Sequence, residues 1–89
     1  MVLGHHVSLH KGVTIGRENR GKREGSPIIG NYVWMGMNST VVGNVHIGDD
    51  VLIAPNSFVN IDIPDHSVVM GNPATIHYKE NAVEKYIGE

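Results

Sequence analysis

The chain has 89 residues, 40% of them hydrophobic, with 7 Lys and Arg against 9 Asp and Glu, a net charge of −2 and no cysteine. That length suits one small domain, and a domain of this size buries only a modest share of its surface. The slightly acidic balance offers no broad attraction to nucleic acid or an anionic membrane, the lack of cysteine excludes disulfides and thiolate zinc sites, and no apolar run approaches the roughly 20 residues of a membrane span.

From the first residues, apolar side chains recur every sixth position at Leu3, Leu9 and Ile15, with Gly4 and Gly16 after two of them and Val7 and Val13 in a second slot. Neither a helix of period 3.6 nor a strand of period 2 requires that spacing. No basic segment followed by an apolar stretch opens the chain, so a soluble, cytoplasmic protein is expected. The step from Ile15 to Ile29 is then 14 residues, so eight are inserted. Residues 17–27, RENRGKREGSP, are polar, contain glycine and show no apolar period; they predict a loop leaving one corner of a regular structure. The loop carries Arg17, Arg20, Lys22 and Arg23. A solvated charge run is the simpler reading, but such a loop beside a regular wall could meet an anionic ligand.

Beyond the loop the phase is unbroken: Ile29, Met35, Val41, Ile47, Ile53 and Val59. A small residue follows four of them (Gly30, Gly36, Gly48, Ala54), with Val42 and Asn60 the exceptions, and Val33, Ser39, Val45, Val51, Ser57 and Ile63 fill the second inward slot. Six residues bury nothing alone, so the inward side chains must stack on those of neighbouring turns, as in a solenoid. Three units per turn put residues 18 apart in register, Ile29 over Ile47, Met35 over Ile53 and Val41 over Val59. An antiparallel domain of short strands is the alternative, and the unbroken phase disfavours it. The expected fold is therefore an all-β hexapeptide solenoid over residues 1–76 with residues 17–27 protruding.

Turn signals at Pro64-Asp65 and Gly71-Asn72-Pro73 close the repeat within residues 63–76. In the remaining tail, residues 77–89, Asn81 serves as an N-cap with Glu84 three residues on, and Val83, Tyr86 and Ile87 share a face. A short C-terminal helix capping the last turn is predicted. At the other end Leu3 already occupies an inward slot, so further chain before it is expected to close the stack, with the 89 residues forming part of a longer protein.

GVTIG at residues 12–16, the polar loop, IIGNYVWMG at 28–36, the hexapeptide run and NIDIPDHSVVMGNPA at 60–74 together resemble the C-terminal half of hexapeptide-repeat acetyltransferases, most closely serine acetyltransferases. The resemblance implies a left-handed parallel β-helix of triangular section, a homotrimer, and transfer of an acetyl group from acetyl-CoA to a hydroxyl of serine or another small acceptor. A sugar or an antibiotic is the other acceptor class. A trimerising β-helical module without chemistry, or an inactive fragment of such an enzyme, is the alternative of a different kind. Tyr32, Trp34 and Met37 lie outside the inward slots and supply apolar surface for the trimer.

In that family the donor lies in the groove between neighbouring solenoids, near backbone amides and small corner residues. The matching positions are Gly16, Gly36 with Met37, and Ala54 with Pro55. A small residue lets the pantetheine arm approach the main chain, although the same glycines also suit tight corners. Lys79 lies just past the GNPA turn, where the family places a basic residue near the CoA phosphates; Thr75 follows Ala74 directly.

Acetyl transfer needs a general base for the hydroxyl proton, and imidazole titrates in the right range. The chain offers His5, His6, His10, His46, His66 and His77. The family uses two histidines, one upstream of the segment seen here and one before the proline that ends the loop, where this chain has Ser26 before Pro27. The catalytic residue is thus unassigned, with His10, at an outward corner after Leu9, the candidate of the six. No two histidines share a stacked position once the insertion is counted, so no metal site is expected and the zinc-dependent carbonic anhydrases of this fold are disfavoured.

Overall fold

The computed structural model describes residues 2–17 and 25–84. Residues 18–24 of the predicted loop and 85–87 of the predicted helix therefore lie outside the described residues.

Short strands follow one another along the chain: β1 (Val2–Leu3), β2 (Ser8–Leu9), β3 (Thr14–Gly16), β4 (Ile28–Ile29), β5 (Val33–Met35), β6 (Thr40–Val42), β7 (His46–Ile47), β8 (Val51–Ile53), β9 (Phe58–Val59), β10 (Ser67–Met70) and β11 (Thr75–Tyr78). They sort by threes into three sheets, β1-β4-β7, β2-β5-β8-β10-β11 and β3-β6-β9. These are called here the first, second and third walls. All pairings between successive turns are parallel. The result is an elongated body of 37 × 23 × 23 Å.

The expected register is present: Ile29 faces Ile47, Met35 faces Ile53 and Val41 faces Val59. Across the insertion Leu3 faces Ile29, Leu9 faces Met35 and Ile15 faces Val41, a step of 26 residues, which is one turn of 18 plus the eight inserted. The same register on both sides of the insertion shows that the eight extra residues leave the stack undisturbed.

The core is the column of inward residues. Ile29, Met35, Val41, Ile47, Ile53 and Val59 are buried together with Val33, Val45, Val51, Ile63 and Val69. Three serines share the inward slots. Ser39 Oγ donates to the Gly36 carbonyl at 2.7 Å, Ser67 Oγ donates to the Pro64 carbonyl at 2.8 Å, and Ser57 Oγ accepts from the Gly71 amide at 3.2 Å. A buried hydroxyl that keeps a partner carries little desolvation cost.

Corners are shaped by backbone conformation and by side chains reaching between turns. At the corner joining the first and second walls, His6, Tyr32, Asp50 and His66 all have φ of 56 to 57°. At the next corner Gly12, Asn38 and Asn56 have φ of 81, 61 and 63°. Asparagine and glycine tolerate that left-handed region, which accounts for their recurrence at the second corner. At the first corner Asn31 Oδ1 accepts the His5 amide, Asp49 Oδ1 the Asn31 amide and Asp65 Oδ1 the Asp49 amide, each at 2.7 Å. The glycine before each donating amide leaves the space these oxygens fill. A Cβ on Gly48 would collide with Asp65 Oδ1 and lie 2.7 Å from the Asp65 backbone nitrogen.

The C-terminal segment departs from expectation. β11 turns back antiparallel to β10, pairing Met70 with Thr75 and Ser67 with Tyr78. Residues 81–84 form a turn, closed by the Glu84 amide donating to the Asn81 carbonyl at 3.1 Å, and the predicted C-terminal helix is absent from these residues. Ala82 and Val83 pack on the outer side of the second wall, against Leu52, Trp34 and Val68. The outward apolar side chains of Trp34, Leu52 and Val68 on that wall give the segment a place to bury its own.

Substituting Gly48→Ala is expected to lower stability by roughly 1–3 kcal/mol, the range for overpacking against atoms that cannot move aside. Gly16→Ala, whose added Cβ would meet only Val42 Cγ1 at 3.4 Å, is expected to leave the melting temperature close to wild type. Thermal melts of the two variants check both.

Candidate functional site

Strand register decides which residues share a corner, and it distributes the candidate residues unevenly. The corner between the second and third walls collects His10-Lys11, Gly36-Met37 and Ala54-Pro55 in successive turns, because Leu9, Met35 and Ile53, the residues just before them, are paired across the ladder. Four of the expected donor-site positions therefore form one surface. Gly16 stands at the other end of the third wall, where β3 finishes and the polar loop leaves. Ser26 lies on the returning side of that loop, next to buried Pro27, whose carbonyl accepts the Val2 amide at 3.1 Å.

Lys79 is placed apart from the four. β11 runs back across the second wall, so Tyr78 ends opposite Ser67, and the Lys79 amide donates to the His66 carbonyl at 2.8 Å. It therefore sits at the first corner, separated from the Pro55 corner by a four-residue strand, about 13 Å of extended chain. The cation that does share the Met37 and Pro55 column is Lys11. Its carbonyl accepts the Asn38 amide at 3.1 Å just as the Met37 carbonyl accepts the Asn56 amide at 3.0 Å. The sequence held the signal for Lys11: it precedes Met37 by the same 26 residues that separate Leu9 from Met35.

The surface at this corner is mixed. Met37 is 52% exposed, and His10, Lys11 and Pro55 are exposed. Gly36 is hidden, and a Cβ there would stand 2.7 Å from the Pro55 nitrogen, so stacking alone requires glycine. The amides of Gly36 and Ala54 donate to the carbonyls of Ile53 and Val69, both at 2.8 Å. A ligand at this corner thus meets small side chains, the Met37 thioether and the Lys11 ammonium, while the amides of Gly36, Asn38, Ala54 and Asn56 serve the ladder.

His10 projects beside the second wall. Its ring lies 4.7 Å from the Trp34 ring, centre to centre, at an interplanar angle of 53°. The amide of His10 donates to the Met35 carbonyl at 3.2 Å, which anchors its backbone while leaving the ring at the corner. His6 stacks on Tyr32 at 4.7 Å and 3°. His5 and His6 are held by different partners, and among the described residues no three of His, Cys, Asp and Glu are grouped to hold a metal ion. Also among those residues, no helix is long and apolar enough to cross a membrane.

An open groove along the first wall is lined by His46, Gly48, Asp49, Asp62, Ile63, Pro64 and Asp65. Its carboxylates brace backbone: Asp62 Oδ1 accepts the His46 amide at 2.9 Å and Asp65 Oδ1 the Asp49 amide at 2.7 Å. Three carboxylates would repel a phosphorylated donor, so the Lys11 corner is the better match for one.

A further cluster was not foreseen. His66 Nδ1 donates to Asp50 Oδ2 at 2.7 Å, and the same carboxylate accepts the amides of Ala82 at 3.1 Å and Val83 at 3.2 Å. Burial alone would push the Asp50 carboxyl up, but the hydrogen bonds from His66, Val83 and Ala82 outweigh it and hold the pKa below its ordinary value. Its hydrogen bond to Asp50 raises the His66 pKa against the opposing effect of desolvation.

Comparison with known proteins adds to this geometry. Residues 26–60 match the bacterial transferase hexapeptide family, six repeats. The Arabidopsis thaliana protein named serine acetyltransferase 2 is 40% identical over 75 residues, covering 84% of this chain and 23% of its own length. Helicobacter pylori serine acetyltransferase is 36% identical over 72 residues, covering 81% of this chain and 42% of its own. The crystal structure of Neisseria gonorrhoeae serine acetyltransferase in complex with serine superposes with a TM-score of 0.76 at 38% identity, over 85% of this chain and 31% of that one. The chain thus spans roughly a quarter to two fifths of these relatives. Hexapeptide-repeat neighbours of this kind imply a left-handed winding for the parallel solenoid.

Replacing Met37 by Ala is expected to change stability by no more than about 0.5 kcal/mol, as for a surface side chain away from packing and caps. A chemical denaturation curve checks it. A larger loss would mean that Met37 holds the corner together and is not available to a ligand.

Proposed function

We propose that this chain is the acetyl-donor-binding β-helical part of an acetyl-CoA-dependent O-acetyltransferase of the serine acetyltransferase type. The observation that carries the reading is the corner where Lys11, Met37 and Pro55 stack beside Gly36 and Ala54, in a chain most of whose length is similar to serine acetyltransferases. Partly exposed Ala54 leaves room for a narrow pantetheine arm close to the main chain, Met37 offers an adaptable apolar contact, and Lys11 places a positive charge where a phosphate can reach it. Gly16, at the far end of the third wall, would border the same ligand only if a neighbouring solenoid forms the other side of the groove. The exposed Val2, Ile28, Tyr32 and Met37 support a homotrimer, which would supply that neighbour. Trp34 contributes less to such an interface than its sequence position implies, since Ala82 and Val83 pack against it.

In the reaction the acceptor oxygen attacks the thioester carbonyl, its proton passes to a base, the carbon–oxygen bond forms, and the carbon–sulfur bond breaks to release the thiol with a proton. His10 is the side chain here suited to take that proton. The serine found with the Neisseria enzyme makes serine the first acceptor to test, ahead of a sugar.

Ser26 favours a second reading. A hydroxyl cannot serve as a base near neutral pH as an imidazole does, so a donor-binding or trimerising module without turnover is consistent with a serine before Pro27.

Calorimetric titration with CoA, followed by thiol release from acetyl-CoA in the presence of serine, separates the two. The enzyme reading expects binding and serine-dependent thiol release that His10→Ala lowers by 10²-fold or more, the usual order for a general base. Binding without release selects the module, and no binding at millimolar CoA removes the donor site. Lys11→Ala is expected to weaken CoA binding by on the order of 0.5–1 kcal/mol, the value of an exposed ion pair, while Lys79→Ala leaves it unchanged. Light scattering is expected to give the mass of a trimer; a stable monomer at micromolar concentration would rule that assembly out.

A further inference from the structure

The Asp50 cluster lies at the opposite edge of the second wall from the Lys11 corner. Asp50 occupies the left-handed corner position, φ 57°, between Tyr32 in the turn before and His66 in the turn after. Its side chain is 15% exposed and that of His66 43%. One carboxylate therefore gathers three donors from distant chain: His66 from the next turn, and the amides of Ala82 and Val83, which lie 32 and 33 residues away. The two residues whose amides it takes are the same two that bury their side chains against Leu52, Trp34 and Val68. Without the carboxylate, those amides would approach the apolar wall without a partner.

The geometry points to a pH-dependent latch in which the Asp50 carboxylate, braced by His66, fastens residues 81–84 over the outer face of the second wall and uncovers that face when it is protonated. Trp34 is part of what the latch covers, and it also touches the His10 ring. The latch stands whether or not the His10 corner takes an acetyl donor.

Groups facing the pair define its working range. Asp50 faces His66, and Tyr78 lies within its electrostatic reach. His66 faces Asp50, Asp65 and Glu80, all of them negative, and the Tyr78 ring stands edge-on at 6.2 Å. Tyr78 is pushed up by burial and by Glu80, so it stays neutral across the range that matters. A carboxylate with a lowered pKa contributes stability above its ordinary value of 3.8 that is lost as pH falls through the folded value. A histidine with a raised pKa contributes stability below 6.5 that is lost as pH rises through the folded value. Fastening is therefore strongest between the two. On the alkaline side it only weakens, because neutral imidazole can still donate from Nδ1, whereas acid takes away the negative charge that both amides and His66 share and turns one of the two acceptor oxygens into a hydroxyl.

Trp34 is the single tryptophan of the chain and packs under Ala82 and Val83, so its emission wavelength reports the latch, and the same measurement on His10→Ala separates any effect of the neighbouring His10 ring. Emission would be followed against pH, with amide exchange of Ala82, Val83, Ile47 and Ile53 measured by NMR. The wild-type protein is expected to hold constant emission from pH 3.8 to 6.5 and to shift to longer wavelength below it, while the Ile47 and Ile53 amides stay protected. Asp50→Gly keeps the left-handed backbone and removes the carboxylate. At pH 6 it should already show the shifted emission and an exchange rate at Ala82 and Val83 higher by about tenfold or more, as for loss of a hydrogen bond to a charged acceptor. His66→Asn also suits its backbone and should move the acid transition up toward 3.8, which decides the matter if Asp50→Gly does not fold. Unchanged emission and exchange in Asp50→Gly would overturn the latch. An unmoved transition in His66→Asn, or an acid transition that releases Ile47 and Ile53 together with Ala82 and Val83, would do the same.

Discussion

Every turn of this chain must lie one strand spacing, about 4.8 Å, above the last and in register with it on three walls. That constraint leaves room for one side chain per inward slot and almost none between corners. It explains why Ile29, Met35 and Val41 stand over Ile47, Ile53 and Val59, and why Gly48 has no side chain where Asp65 reaches back to the Asp49 amide. The apolar columns supply the driving force for stacking, while the ladders and corner side chains satisfy the polar backbone that stacking buries.

The same register makes a surface out of residues that are far apart in sequence. His10-Lys11, Gly36-Met37 and Ala54-Pro55 become neighbours because the strands before them are paired, and Gly16 is kept away from them by the length of the third wall. A solenoid of this kind presents stripes, one per corner, each with its own chemistry. One corner is small-residued and carries Lys11; another carries the three carboxylates of Asp49, Asp50 and Asp65 with His66 and Lys79. The opposite charges of these two stripes favour the Lys11 corner for a phosphorylated ligand and leave the acidic corner with structural work, bracing amides through Asp49 and Asp65 and fastening the C-terminal segment through Asp50.

Periodicity stops being informative where the repeat stops. The antiparallel return of β11 carries Lys79 to the first corner, so a residue expected beside the donor by its place after the GNPA turn is at the other edge of the wall from Met37 and Pro55. Asn81, read as a helix cap, adopts φ 57° at the start of a turn. Its neighbours Ala82 and Val83 are drawn to Asp50 and to the apolar side chains of Trp34, Leu52 and Val68. Local capping preference is worth about 1 kcal/mol, and burial of two apolar side chains together with two charge-assisted hydrogen bonds exceeds it.

Sequence by itself determined the solenoid, the three-unit turn, the stacking pairs from residue 29 onward, the buried inward residues between Ile29 and Ile63 and the place where eight residues leave the stack, because a period of six with one phase break admits a single consistent register. It also carried the likeness to serine acetyltransferases and the serine at residue 26. Only the tertiary structure decided that Lys79 lies away from the Met37 and Pro55 corner, and that the tail lies along a wall. Only there does Asp50 join His66 to two amides more than thirty residues away. Those contacts depend on where the chain goes after the repeat ends, and no local spacing encodes a hydrogen bond between a corner carboxylate and a segment that reaches it by reversing direction.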